Sequence, residues 1–344
     1  MSSNQGAWLR SKGERPLVVG PADLPKAGPG QLVIKNHAVA INPIDYKIQD
    51  LGIFIQKYPT LIGSDVSGEV VQVGEGVEGF QKGDRILSYS TPAGQGFIPE
   101  VAAFQNFTRV PTWLASKIPS GTPSKEAAVL PLALATASAG LYQSDYLGLP
   151  YPTHDPSPLK KILVVWGGSS SVGSATIQLA KASGVQVITT ASSRNLSFVK
   201  SAGADHAFDH DSASVVEDIV STIKDSGKEF AGVYDAIGIP ETIKKSVSIF
   251  GKVGSGSNKL ASTLPVDKDL VGDVDAKQVN AGAVFVKKEF GQAIYNDFVP
   301  GALESGQLKT LPPPQVVGKG LDAIQKGLDT LRNGVSATKI VIEL

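Results

Sequence analysis

Apolar and polar positions change rhythm about halfway along this chain. Over residues 1–125 they alternate in short stretches separated by glycine. Leu32-Val33-Ile34 precedes His37-Ala38-Val39-Ala40-Ile41, and Gly68-Glu69-Val70-Val71-Gln72-Val73 alternates ahead of Gly74, Gly76 and Gly79. A period of two bounded by turn formers marks half-buried strands, so this part reads as a small β-barrel. From Lys160 onward the order becomes strand, glycine turn, helix, strand, which is how a parallel sheet is built. Six strands are expected, at Ile162–Trp166, Val185–Thr190, Ala207–Asp209, Gly232–Ala236, Lys252–Gly254 and Val284–Val286, as a dinucleotide-binding sheet requires. Beyond Val286 the pattern predicts a helix over Gly291–Leu303, the Pro312-Pro313-Pro314 stretch, a helix around Leu321–Leu331 and a last strand, Lys339–Glu343. Pattern alone assigns this tail to neither region.

The decisive local signal is the turn after the first parallel strand. Ile162-Leu163-Val164-Val165-Trp166 is the continuous apolar run of a strand buried on both faces. Gly167-Gly168-Ser169-Ser170-Ser171-Val172-Gly173 follows at once and opens a helical spacing of Val172, Ala175, Thr176, Leu179 and Ala180. Gly168 and Gly173 take the first and third glycine places of the dinucleotide fingerprint, and Ser170 takes the second. Such a turn also closes ordinary strand-to-helix connections. Its context selects dinucleotide binding, in which the N–H groups of a helix start receive a pyrophosphate and Ser169, Ser170 and Ser171 add hydroxyls.

Acid placement selects the cofactor. An NAD enzyme needs a carboxylate about 20 residues on for the ribose 2′-hydroxyl. From Pro156 through Ala204 this chain has no Asp or Glu, and the second parallel strand runs into Ser192-Ser193-Arg194-Asn195. A guanidinium flanked by hydroxyls suits a 2′-phosphate, so NADPH is expected.

Composition narrows the chemistry. The 344 residues exceed one core and, at about 150 residues per domain, suggest two domains with a cleft between them. With 32 Lys+Arg against 32 Asp+Glu there is no positive excess for a nucleic acid or an anionic membrane. The chain has no cysteine, which removes disulfides, thiolate metal ligands and a cysteine nucleophile. The apolar stretch from Ala127 to Leu141, broken by Pro131, is too short for a bilayer and reads as a buried helix. No secretory signal is read at the start, so a cytoplasmic protein with a small-molecule partner is expected. The oligomeric state is left open between monomer and homodimer.

Several motifs together resemble the medium-chain dehydrogenase/reductase superfamily, in its cysteine-poor branch of quinone reductases and fungal enoyl reductases. They are Asn42-Pro43-Ile44-Asp45-Tyr46-Lys47, Gly63-Ser64-Asp65-Val66-Ser67-Gly68-Glu69-Val70, Gly83-Asp84-Arg85-Ile86, Thr136-Ala137-Ser138-Ala139-Gly140-Leu141 and the glycine turn. The resemblance implies an α/β chain with a GroES-like β-barrel domain, residues 1–127 and 289–344, and a doubly wound parallel-sheet (Rossmann) NADPH-binding domain, residues 128–288. Zinc-dependent members place a cysteine and a His-Glu pair where this chain has the Asn42–Lys47 motif and Ser64-Asp65, so no metal is expected.

The resemblance further implies that Asn42 lies near the nicotinamide, with Lys47 and Tyr46 the nearest donors. Lys47 is the preferred catalytic candidate, since an ammonium can stabilise a developing enolate and relay a proton. Its bland reading is a surface lysine packing its stem. Tyr58, before Pro59, resembles a residue shaping the substrate mouth. Thr136, Ala236, Ile237, Gly254, Ser255 and Phe285 are expected at the cofactor from the ends of strands or neighbouring helices. His210 stands where a tyrosine near the adenosine phosphate is common. Asp45 and Asp65 are expected to cap or brace turns. The leading function is NADPH-dependent reduction of an activated C=C bond. The alternatives are two-electron quinone reduction and a cofactor-binding module with little turnover.

Overall fold

The structure, a computed structural model, describes residues 3–344. Two compact units form. One comprises residues 3–132, Val284–Glu304 and Pro313–Leu344, the other Ala133–Ala283 and Ser305–Pro312. The C-terminal tail therefore divides between them. Ser305–Pro312 is held in the second unit by Lys309, whose N–H donates to Gln178 at 2.7 Å and whose ammonium donates to the Ser201 carbonyl at 2.7 Å.

The first unit is β-rich. A seven-stranded sheet runs in the order Pro314–Lys319, Lys339–Glu343, Gln31–Ala40, Asp65–Val73, Arg85–Tyr89 and Ala115–Lys117, with Phe107–Pro111 also paired to Gln31–Ala40. Gln31–Ala40 is one strand where the sequence pattern suggested two. Its register against Asp65–Val73 shifts between Asn36 and Ala38. The shift explains the pattern: Leu32 and Ile34 are in phase before it, Val39 and Ile41 after it, and all four are fully buried in one core with Val66, Val70, Ile86 and Ile342. The closing strand Lys339–Glu343 forms as expected, pairing antiparallel with Gln31–Ala40. Pro314–Lys319 is a strand that the proline-rich sequence concealed. It lies at the sheet edge, where proline is tolerated.

The second unit holds six strands, all parallel. Their order is His206–Asp209, Gln186–Ala191, Lys161–Trp166, Glu229–Asp235, Lys259–Ser262 and Asp275–Gln278. This is the doubly wound arrangement, in which ligands bind beyond the carboxyl ends of the strands. Ile162 through Trp166 are at most 2% exposed, as a strand covered on both faces must be. On one face Val215, Ile219 and Ile223 of the helix Val215–Asp225 and Ile243 and Ile249 of the helix Pro240–Val253 pack on Ile162, Val164 and Trp166. Opposite them Tyr234 reaches the helix Pro131–Tyr142, donating to the Thr136 carbonyl at 2.8 Å.

Two expected strands are not strands. Lys252-Val253 ends the helix Pro240–Val253, and Gly254 caps it at φ 72°. A left-handed residue that costs glycine little is the usual helix stop, so the glycine closed a helix and did not follow a strand. Val284–Val286 falls in a one-turn helix, Ala283–Val286. A three-residue apolar run fits either state, and with Val286 78% exposed this one had no sheet face to bury. The fifth and sixth places in the sheet go to Lys259–Ser262 and Asp275–Gln278. Among the described residues no helix is long and apolar enough to cross a membrane.

Candidate functional site

In the second unit the chain turns sharply after Trp166. Gly167 has φ 77°, and a Cβ there would meet Ile237 at 2.5 Å. Gly168 and Gly173 are required by close approach. A Cβ on Gly168 would stand 2.1 Å from Thr189 Oγ1, and one on Gly173 would stand 2.2 Å from the Gly167 carbonyl oxygen. These glycines let the helix Ser171–Ala182 start against the turn. Ser170 is its N-cap, with Oγ accepting from the Gly173 N–H at 3.0 Å. The serine in the second glycine place thus serves the helix itself. The N–H groups of Ser171 and Val172 remain those that no preceding helical turn can satisfy, and they face the positive end of the helix dipole.

The neighbouring strand ends gather at the same sheet edge. The Ala236 N–H donates to the Trp166 carbonyl at 3.0 Å, and Gly168 N–H to Thr190 at 2.9 Å. Asp235 Oδ1 accepts from the N–H groups of Ile237 and Gly238 at 3.0 and 2.8 Å, which shapes the loop carrying Ala236 and Ile237. Burial holds the Asp235 carboxyl above its ordinary pKa. Ser192, Ser193 and Arg194 leave the end of Gln186–Ala191 in a short 3₁₀ turn, and Asn195 donates to Ser192 Oγ at 3.0 Å. His210 joins them, its N–H donating to the Ala191 carbonyl at 3.0 Å. His206 is on a strand and lies 3.1 Å from Gln186 Nε2, so the two histidines do not form a helical metal pair.

Gly254 and Ser255 do not join this edge. Gly254 caps the end of the helix Pro240–Val253, and Ser255 lines a hollow with Phe230, at the amino end of Glu229–Asp235. Their cofactor assignment depended on the strand that is a helix end and is withdrawn. Phe285 likewise comes from no strand end. It lies in the first unit, its ring stacked on Trp113 with centroids 6.1 Å apart.

In the first unit Asn42 precedes the helix Pro43–Leu51, which carries Asp45, Tyr46 and Lys47. Asp45 Oδ2 accepts from the Asn42 N–H at 2.7 Å. The Asn42 amide is held at both ends: Nδ2 donates to Asp65 Oδ2 at 2.9 Å, and Oδ1 accepts from the Lys339 ammonium at 2.5 Å. Lys339 also pairs with Asp65 Oδ2 at 2.9 Å, and Asp65 Oδ1 accepts from the Leu132 N–H at 2.6 Å. All four side chains are at most 4% exposed. Sequence reading missed Lys339, whose only signal was a lysine opening an otherwise apolar strand.

Asp45 is the pH-sensitive member. Burial raises its pKa to about 7, the Asp65 charge adding to the effect, and Oδ1 has no hydrogen-bond partner among the described residues. With the folded pKa above the unfolded one, the folded state binds the proton more tightly, so this group's contribution to stability declines as pH rises from about 4 to about 7. Asp45→Asn cannot ionise. Its stability relative to the parent should improve by on the order of 2 kcal/mol between pH 5 and pH 8, measured by urea unfolding. Parallel pH dependences would show that Asp45 is already ionised at pH 5.

Lys47 is half-buried and makes no hydrogen bond or ion pair with another described residue. Tyr46 is placed differently from expectation. Its ring packs under the Arg332 guanidinium, 5.4 Å from the ring centre, which makes it a packing residue between helices. Tyr58 is half-buried against the barrel core and precedes a cis proline.

Residues 28–120 match the family model described as alcohol dehydrogenase GroES-like domain, and residues 171–256 match zinc-binding dehydrogenase. Over its full length the chain is 42% identical to dehydrogenase orsE of Emericella nidulans, all of which is covered. The chain belongs to the medium-chain dehydrogenase/reductase superfamily. As a member of that superfamily it is an oxidoreductase with a GroES-like domain and a Rossmann-type nucleotide domain. It is also similar to the trans-enoyl reductase himH of Aspergillus japonicus, 39% identical over 99% of this chain and 97% of that one. Among solved superfamily folds it matches a mycobacterial protein, Rv1454c, crystallised as a complex with NADPH, with a TM-score of 0.73, 23% identity and 99% and 100% coverage.

Proposed function

We propose that this oxidoreductase binds NADPH and reduces an activated C=C bond, an enone or an enoyl group, of a small organic substrate without a metal. The observation that carries the proposal is the edge of the parallel sheet at Gly168, Gly173 and Ser192–Arg194. There, close-packed glycines leave backbone N–H groups for a pyrophosphate, and a guanidinium with two hydroxyls stands where an NAD site needs a carboxylate. These residues fit NADPH, which when bound supplies a hydride for an electron-poor carbon. The residues at the family's zinc position do not fit zinc. The chain has no cysteine, and the oxygen donors Asp65 Oδ2 and Asn42 Oδ1 are occupied by the Lys339 ammonium. Zinc as the source of acceptor polarisation therefore forms no part of the proposal.

The chain's own residues then divide the work. Ser171 and Val172 N–H groups bind the pyrophosphate, and Ser192, Ser193 and Arg194 hold the 2′-phosphate. Lys47, a cation with no hydrogen-bond or ion-pair partner among the described residues, holds negative charge at the acceptor oxygen and supplies the proton that completes reduction.

Fluorescence titration with NADPH and NADH, followed by a consumption screen over enones, enoyl thioesters and quinones, tests the proposal. The expected result is NADPH preference with enone- or enoyl-dependent turnover. Turnover with quinones alone would move the assignment to quinone reduction, and silence with every acceptor would leave a binding module. Lys47→Met should lower kcat by roughly 100-fold while NADPH affinity stays within about twofold, as loss of a proton-handling group does. Equal kcat in the variant would return Lys47 to the role of a surface lysine.

A further inference from the structure

The helix Pro240–Val253 carries a lysine that the NADPH reading does not use. Lys245 points back along its helix toward the carboxyl edge of the sheet, as helical side chains do. Its ammonium donates to the His210 carbonyl at 3.2 Å and lies 5.8 Å from the centre of the Trp166 ring. Trp166 ends the strand on one side of Gln186–Ala191, and His210 follows the strand on the other side. One ammonium that reaches both ends spans the end of the strand between them. That is the end from which Ser192, Ser193 and Arg194 emerge.

We infer that Lys245 is the second cation of a 2′-phosphate subsite and, with Arg194, determines the choice of NADPH over NADH. The inference rests on the NADPH reading above and adds a residue from a different helix. Lys245 now pairs with Glu241, one helical turn before it, at 3.1 Å. Glu241 is 72% exposed, so the pair is of the surface kind worth about 0–1 kcal/mol. A phosphate carrying a charge of about −1.5 to −2 competes for that ammonium on favourable terms. Three other carboxylates stand at this edge: Asp235, which accepts from the Ile237 and Gly238 N–H groups, and Asp209 and Asp211, which flank His210. Asp209 Oδ1 accepts from the Asp211 N–H at 3.1 Å, and Asp211, 78% exposed, pairs with His210 Nδ1 at 3.0 Å. The backbone bond to His210 anchors the ammonium at the edge in the absence of ligand, so the cation is already in place.

The test compares the full-length protein with Lys245→Met, Lys245→Arg, Arg194→Met and Glu241→Gln by titrating NADPH, NADH, adenosine 2′,5′-bisphosphate and 5′-AMP. Lys245→Met should weaken NADPH and the 2′,5′-bisphosphate by about 10-fold and leave NADH and 5′-AMP unchanged, in line with loss of one charge-assisted bond. Lys245→Arg should retain the preference, and Glu241→Gln should tighten NADPH two- to threefold by releasing the ammonium. Equal weakening of all four ligands by Lys245→Met would make the lysine a contact to adenosine in general and overturn the inference, as would no change. A parent protein without NADPH preference would instead refute the NADPH reading. A preference that collapses in Arg194→Met but survives in Lys245→Met would leave that reading standing and remove Lys245 alone.

Discussion

Lys339→Met should destabilise the protein by about 3–5 kcal/mol, the cost of leaving a buried charge without its partner. The Lys339 and Asp65 side chains are 4% and 0% exposed, and the ammonium bridges Asp65 Oδ2 and Asn42 Oδ1. Methionine keeps the stem and removes the charge, so Asp65 would face Asp45 with no cation between them. The Asp65 carboxylate would then be buried without its counter-charge. Asp65→Asn in the same chain should recover much of the loss, because a neutral pair of similar shape needs no counter-charge. Urea unfolding of the single and double variants measures each quantity. A single variant within about 1 kcal/mol of the parent would mean that water already reaches the pair. The pair also ties distant elements together. Asp65 joins the start of the helix Pro131–Tyr142, the Asn42 amide and the last strand at one carboxylate, and the start of the Lys47 helix is fixed through Asn42.

Gly173→Ala should weaken NADPH binding by about 100-fold while leaving the sheet folded. The added carbon would lie 2.2 Å from the Gly167 carbonyl oxygen and 2.8 Å from the Gly168 Cα. Both are backbone atoms of the turn, so no side chain can rotate away, and the helix Ser171–Ala182 must move off the turn. A displacement near 1 Å is enough to cost about 100-fold where an interaction depends on position. Gly168→Ala meets Thr189 Oγ1 at 2.1 Å and Ile177 Cδ1 at 2.8 Å, which are side-chain atoms that can adjust in part. Its effect should fall more on stability and less on affinity. Fluorescence titration and circular dichroism separate the two variants. Unchanged NADPH affinity in Gly173→Ala would place the pyrophosphate elsewhere.

Local periodicity determined the larger elements. The run Ile162–Trp166 needs cover on both faces wherever it sits, and Gly168 and Gly173 at that spacing admit a helix start against a strand end. The last strand, Lys339–Glu343, was legible for the same reason: its apolar residues fit a strand without reference to any partner. Short runs were not decided locally. Lys252-Val253-Gly254 and Lys259–Ser262 are similar in pattern, and only the chain's return to pair with Glu229–Asp235 makes the second one a strand. Ser305–Pro312 could belong to either unit until Lys309 found Gln178 and Ser201.

The candidate site divides in the same way. The glycine turn and Ser192–Arg194 are contiguous in sequence, so their chemistry could be read from residue types and spacing. Asn42 and Lys339 stand 297 residues apart, and no spacing rule links them. Alternation and helical repeat describe which face a side chain takes on its own element. Which charge it meets there is set by the packing of elements distant in the chain, and for Asn42, Asp65, Lys339 and Lys245 only the tertiary structure made that choice.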